Sequence, residues 1–173
     1  MNTADGTLVI DGEVALIRFE RRLSHPIADV WAAVTDPEQL GAWLGEGVVE
    51  PRAGGRLQLR APSGAPPERQ LAIAGRVLTW EPPHVFEHEW VQPGLDVSVV
   101  RYELERAGAG TILRLTHRRT VGSVAVGGRA GWHAYLDRLA AHLDGRRVPA
   151  WSERRGQVQE LYDEAPIGGA TTA

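Results

Sequence analysis

The chain has 173 residues, a net charge of -3, a pI near 6.1 and no cysteine. The missing thiols exclude disulfides, thiolate metal sites and cysteine nucleophiles, and 19 basic residues that are all arginine, scattered rather than striped, argue against a nucleic-acid partner. The length suits one domain burying roughly 70% of its unfolded surface; without a leader pattern or an apolar run of about 18 residues, no membrane span and a cytoplasmic location are expected.

Residues 14–23, VALIRFERRL, read as a first strand with Ile17 and Phe19 on one face and Arg18 and Glu20 on the other. Residues 26–44, PIADVWAAVTDPEQLGAWL, encode two short helices. Pro26 suits the initial turn of the first, Asp29 complements its dipole, and Ile27, Val30, Trp31 and Val34 share a face; Asp36 as cap and Pro37 as first residue start the second. Neither is long enough to be stable alone, so both must pack on something.

Val48-Val49, a turn over 51–55 and GRLQLR predict a hairpin, and APSGAPPER (61–69) a mobile surface loop. From residue 70, QLAIAGRVLTW, VFEHEWV, DVSVVRYELER and TILRLTHRRT are separated by turns carrying Pro or Gly, the pattern of an antiparallel meander. Alternation puts Val100, Tyr102 and Leu104 on one face, and Leu113, Leu115 and His117 on another such face. Residues 124–144 predict a long amphipathic helix with Trp132, Leu136, Leu139 and Leu143 in one stripe and Gly145 as its stop. RRVPAWSERRGQVQELYDEA predicts a short peripheral helix capped by Ser152, and PIGGATTA a disordered tail. The expected organisation is one domain over 1–145 with an extension over 146–173.

VWAAVTDPEQLGAWLG (30–45), PRAGGRLQL (51–59), GRVLTWEPPHVFEHEW (75–90), GTILRLTH (110–117) and GWHAYLDRLAAHLDG (131–145), in this order, resemble the helix-grip domains of the START-like (SRPBCC) superfamily. Within it they are similar to bacterial relatives of the activator of the 90-kDa heat-shock protein ATPase. The resemblance covers roughly residues 14–144 and implies an α+β helix-grip fold. In that fold a curved antiparallel sheet of six or seven strands wraps a long C-terminal helix, with two short helices after strand one. It also implies a cavity between sheet and helix, lined by Trp43, His88, Trp90, Tyr102, His117, Trp132 and Leu136; core packing is an alternative account of each, and the plainer one for Trp132 and Leu136, which lie on a stripe at helical spacing. It names no shared catalytic residue, and no cofactor is expected.

HVFEH (84–88) matches an H-x-x-E-H zinc signature that requires a helix. Here Pro82-Pro83 precede it and Val85, Phe86, Trp90 and Val91 follow the strand pattern, which separates His84 and His88 by about 13 Å, too far to share a zinc ion. His88 and His117 are candidates to orient a ligand or to move protons, with hydrogen bonding inside the sheet as the plainer account of each. Glu87, Glu89, Glu103 and Glu105 read as outer-face residues pairing with Arg101 and Arg114; a bulge would instead turn Arg101 inward as a carboxylate clamp. GGRAGW (127–132) lacks the ending of a phosphate loop, and Ser24, Ser63, Ser98, Ser123 and Ser152 show no nucleophile arrangement.

These readings point to binding of a small apolar or aromatic molecule between sheet and long helix. The alternatives are a cyclase or aromatase-like enzyme acting on a polyketide-type substrate, with His88, His117 or Tyr102 moving protons, and a module for protein binding that contacts a chaperone. A homodimer stays open.

Overall fold

The computed structural model describes residues 5–60, 72–120 and 123–164, which alternating and helical patterns sort into eight strands and four helices. The strands are β1 (Thr7–Asp11), β2 (Val14–Leu23), β3 (Glu46–Val49), β4 (Arg56–Arg60), β5 (Ala72–Glu81), β6 (Val85–Trp90), β7 (Ser98–Ala107) and β8 (Gly110–Thr120). The helices are α1 (Ile27–Thr35), α2 (Pro37–Trp43), α3 (Ser123–Leu143) and α4 (Trp151–Glu164). The loop over 61–69 and the tail over 166–173 lie outside the described residues.

All strands join one antiparallel sheet in the order β1-β2-β8-β7-β6-β5-β4-β3. The expected six or seven strands become eight because Thr7–Asp11 pairs with β2, Thr7 opposite Arg18 and Asp11 opposite Val14. Four of its five residues are exposed, so β1 carries no alternating apolar face to announce it. A register shift between Val77 and Thr79 interrupts the β5–β6 ladder and adds to the local twist.

The first two helices obey their local signals. Asp36 Oδ1 accepts the Glu38 N–H at 2.9 Å, and Pro37 opens α2. In α1 the cap position falls on Pro26 itself, with no side-chain cap. Ile27, Val30 and Val34 are buried, whereas Trp31 is half-buried with its ring 5.2 Å from that of Trp80.

α2 has only seven residues, and Arg138 of α3 completes it. Arg138 is buried; its Nε donates to the Trp43 carbonyl at 2.8 Å, its Nη2 to the Ala42 carbonyl at 3.2 Å and its Nη1 to the Pro149 carbonyl. A cation set on orphan carbonyls at a helix C-terminus satisfies both the acceptors and the dipole.

Gly145 ends α3 as expected, with φ 64 and its N–H on the His142 carbonyl at 3.0 Å. α4 has 14 residues, and Ser152 is its second residue rather than its cap. It packs on α3 through fully buried Val158, the Arg154–Asp137 ion pair at 2.7 Å and a 2.9 Å hydrogen bond between Tyr162 Oη and His133 Nδ1. Among the described residues no helix is long and apolar enough to cross a membrane.

Candidate functional site

Pairing across the sheet aligns its inward side chains in rows. Phe19, Leu115, Tyr102 and Phe86 form one row, and Ile17, His117, Val100 and His88 the next; all eight are buried. Against these rows α3 sets Trp132, whose ring lies 5.1 Å from Trp90, 5.8 Å from His117 and 6.3 Å from Tyr102. Five of the seven expected lining residues, His88, Trp90, Tyr102, His117 and Trp132, therefore form one continuous aromatic cluster. Leu136 is buried one turn further along α3. Trp43 is fully buried, but its indole N–H is committed to the Ala33 carbonyl at 2.8 Å, joining α1 to α2.

His117 sits in the middle of a complete hydrogen-bond chain. Trp132 Nε1–H donates to His117 Nδ1 at 2.8 Å, and His117 Nε2 meets Ser98 Oγ at 2.9 Å. The Ser98 hydroxyl donates to the Trp90 carbonyl at 2.9 Å. Because an indole N–H can only donate, His117 Nδ1 must be the acceptor, so in the neutral ring the proton is on Nε2 and is donated to Ser98.

A serine and a histidine thus do meet, which the sequence reading did not anticipate. Their polarity is the reverse of a catalytic triad, in which a carboxylate accepts from Nδ1–H and leaves Nε2 free to take the hydroxyl proton. Burial holds the His117 pKa down at about 3, with Arg119 and His88 adding to the effect. This histidine is a neutral structural link.

His88 differs in one respect. Its Nδ1 faces the Glu89 carbonyl at 2.8 Å and so carries the proton, leaving the Nε2 lone pair as an acceptor. Burial lowers its pKa to about 4.

Beside it, ring centroids 6.1 Å apart, stands Tyr102, whose buried hydroxyl has no hydrogen-bond partner among the described residues. Burial pushes its phenol well above the ordinary range, with a smaller contribution in the same direction from Tyr135. The Tyr135 phenol is itself pushed up to about 12 by burial. An uncharged hydroxyl left unpaired inside an aromatic wall is a costly feature unless something meets it.

The outer face behaves as its alternation predicts. Arg101 pairs with Glu87 and with Glu103, each at 3.3 Å, and Arg114 with Glu20 at 3.0 Å and Glu105 at 2.7 Å. Arg101 is therefore no inward clamp. The H-x-x-E-H segment is strand from Val85 on, and His84 points its Nδ1 at the Leu104 carbonyl, 3.1 Å away, while His88 turns to Glu89. Among the described residues no three His, Cys, Asp or Glu side chains are grouped to hold a metal.

A separate open groove of about 320 Å³ is lined by His25, Asp29, Ala32, Gln39, His142 and Leu143. It contains none of the expected residues. Its histidines are already engaged, His25 with Asp144 beside the groove at 2.8 Å and His142 with Gln39 at 3.3 Å. We place the candidate site at the aromatic cluster, where a polar group is left over.

A curved antiparallel sheet folded around an aromatic interior, with a long helix held against it, defines a helix-grip protein of the START-like superfamily. Within that class the chain belongs to the family of activator of Hsp90 ATPase homolog 1-like proteins, whose model matches residues 24–144. Among solved structures it is similar to CalU16 from Micromonospora echinospora, at 28% identity over 92% of each chain with a TM-score of 0.71. It is also similar to the protein encoded by gene BPP1335 of Bordetella parapertussis, at 30% identity over 96% of this chain and 94% of that one, TM-score 0.71. The protein MLL2253 from Mesorhizobium loti is 26% identical over 76% of this chain and 98% of that one, TM-score 0.65. Comparison with curated proteins gave no match.

Proposed function

We propose that the protein binds a small, uncharged, mainly apolar molecule between the inner face of β6–β8 and α3, with the Tyr102 hydroxyl as its polar anchor. The observation that carries this reading is the pairing state of Tyr102. The polar side-chain atoms of the His117 chain are all hydrogen-bonded, whereas this hydroxyl is buried among aromatic rings with no partner among the described residues. The aromatic walls supply contact area, and Tyr102 Oη with His88 Nε2 supplies orientation. A neutral ligand suits a site in which burial disfavours the charged forms of both histidines and both tyrosines.

Binding is favoured over catalysis because His117, the histidine with a serine beside it, has both nitrogens occupied in the wrong sense for a base. The test is a fluorescence titration with Prodan, an uncharged naphthyl ketone dye whose emission shifts on leaving water. Saturable, blue-shifted binding is expected, weakened about fivefold in Tyr102→Phe, the value of one ordinary hydrogen bond. A wild-type protein that leaves Prodan emission unshifted overturns the reading.

A further inference from the structure

α4 lies beyond the family-matched segment, yet its first residue extends the aromatic cluster. The Trp151 ring packs 5.5 Å from that of Tyr135, which in turn lies 5.8 Å from Trp132. A Cβ at Gly131 would stand 3.7 Å from Trp151 Cζ2, the ring carbon on the N–H side of the indole, so the N–H edge faces α3. That Nε1 atom is buried and without a hydrogen-bond partner among the described residues, although Trp151 as a whole is only half-buried. An indole N–H has a single role, donation, and the position is held from outside by the Arg154–Asp137 pair and the Tyr162–His133 bond.

Two buried donors, one on β7 and one on α4, are thus left unmatched at either end of the run Tyr102–Trp132–Tyr135–Trp151. Resting on the binding function argued above, we propose that Trp151 is a second ligand-contacting residue, and that the ligand is an uncharged aromatic molecule with two acceptor oxygens, one met by Tyr102 and the other by Trp151. On this account α4 is a wall of the site rather than an appendage, and it discriminates between ligands with one acceptor and those with two.

The experiment compares Prodan, with one carbonyl, and menadione, an uncharged naphthoquinone with two, in the full chain. The absence of cysteine removes the usual covalent reaction of a quinone with thiols. In Trp151→Phe, which keeps an aromatic ring but loses the N–H together with part of the indole's ring area, the ratio of menadione to Prodan affinity is expected to fall about fivefold, because the lost ring area weakens both ligands while the lost N–H weakens only the one with a second acceptor. In Tyr102→Phe both affinities fall together. Hydrogen exchange adds an independent readout: menadione slows the amides of α4 more than Prodan does.

A menadione-to-Prodan ratio that is the same in Trp151→Phe and wild type, with Tyr102→Phe still weakening both, overturns the role of Trp151 and leaves the binding function standing. Failure of both dyes to bind wild-type protein overturns the two together. Retained Prodan binding in Trp151→Phe shows that the variant is folded.

Discussion

The His117 end and the Tyr102 end of the same sheet face are built from the same materials and finished differently. Around His117 every donor has its acceptor, from the Trp132 indole through the imidazole and Ser98 to the Trp90 carbonyl. Two residues away along the partner strand β7, the Tyr102 hydroxyl is equally buried and has no partner among the described residues. Equal burial therefore does not mean equal role. A closed network fixes one arrangement of β6, β7, β8 and α3, whereas an open hydroxyl in the same apolar setting is a place for something else to bind.

Acid gives the largest expected effect. Folding lowers the pKa of His117 to about 3 and of His88 to about 4 from 6.5, so between these values the unfolded chain holds more protons than the folded one. The stability they contribute is fully present above the unfolded pKa and is lost as pH falls from there toward the folded values. The two histidines together are worth on the order of 5 kcal/mol by about pH 4. Urea unfolding at a series of pH values measures it, and imidazole NMR signals of His88 and His117 that titrate near their ordinary value would break the contrast at its root.

The closed end should be next most sensitive. His117→Leu leaves the Trp132 N–H buried without an acceptor and is expected to destabilise the fold by about 3 kcal/mol. Trp132→Phe instead orphans His117 Nδ1 and opens a small gap, for about 2 kcal/mol. Both are read by chemical denaturation. Values near zero would mean that the chain of bonds is incidental to the fold.

Tyr102→Phe should give the smallest change in stability and the opposite sign. Removing a hydroxyl that has no partner is expected to leave the fold unchanged or stabilise it by up to about 1 kcal/mol, while Prodan binding weakens. A loss of stability as large as that of His117→Leu would show the two ends to be alike.

Most of the architecture was legible in periodicity and punctuation. Asp36-Pro37 marked α2, Gly145 marked the end of α3, and alternation placed Tyr102 and His117 inward. β1 was illegible because an edge strand with four exposed residues lacks the alternation that burial imposes.

The site was legible as a set of faces and illegible as a network. Which histidine nitrogen carries a proton depends on Trp132, and Trp132 meets His117 only through the α3–β8 packing. Tyr135 did carry a signal, since it follows Trp132 by three residues on the same helical face; Ser98 carried one too, in phase with Val100 and Tyr102. Trp151 carried none, being half-buried at the start of a polar helix. Arg138 is the opposite case, a buried cation whose partners are backbone carbonyls and so leave no trace in residue identity.

The seam between β2 and β8 sets the order in which the molecule can be finished. Leu23 pairs with Thr111 and Val14 with Thr120, so the second strand made waits for the last one, with the entire meander synthesised between them. During that interval Ala15, Ile17 and Phe19, all destined for the interior, have only the five-residue β1 beside them. On the ribosome this makes β2 the segment with the longest wait for a partner, and a chain stopped before Gly110 retains it as an apolar strand with an open edge, the kind that recruits other chains.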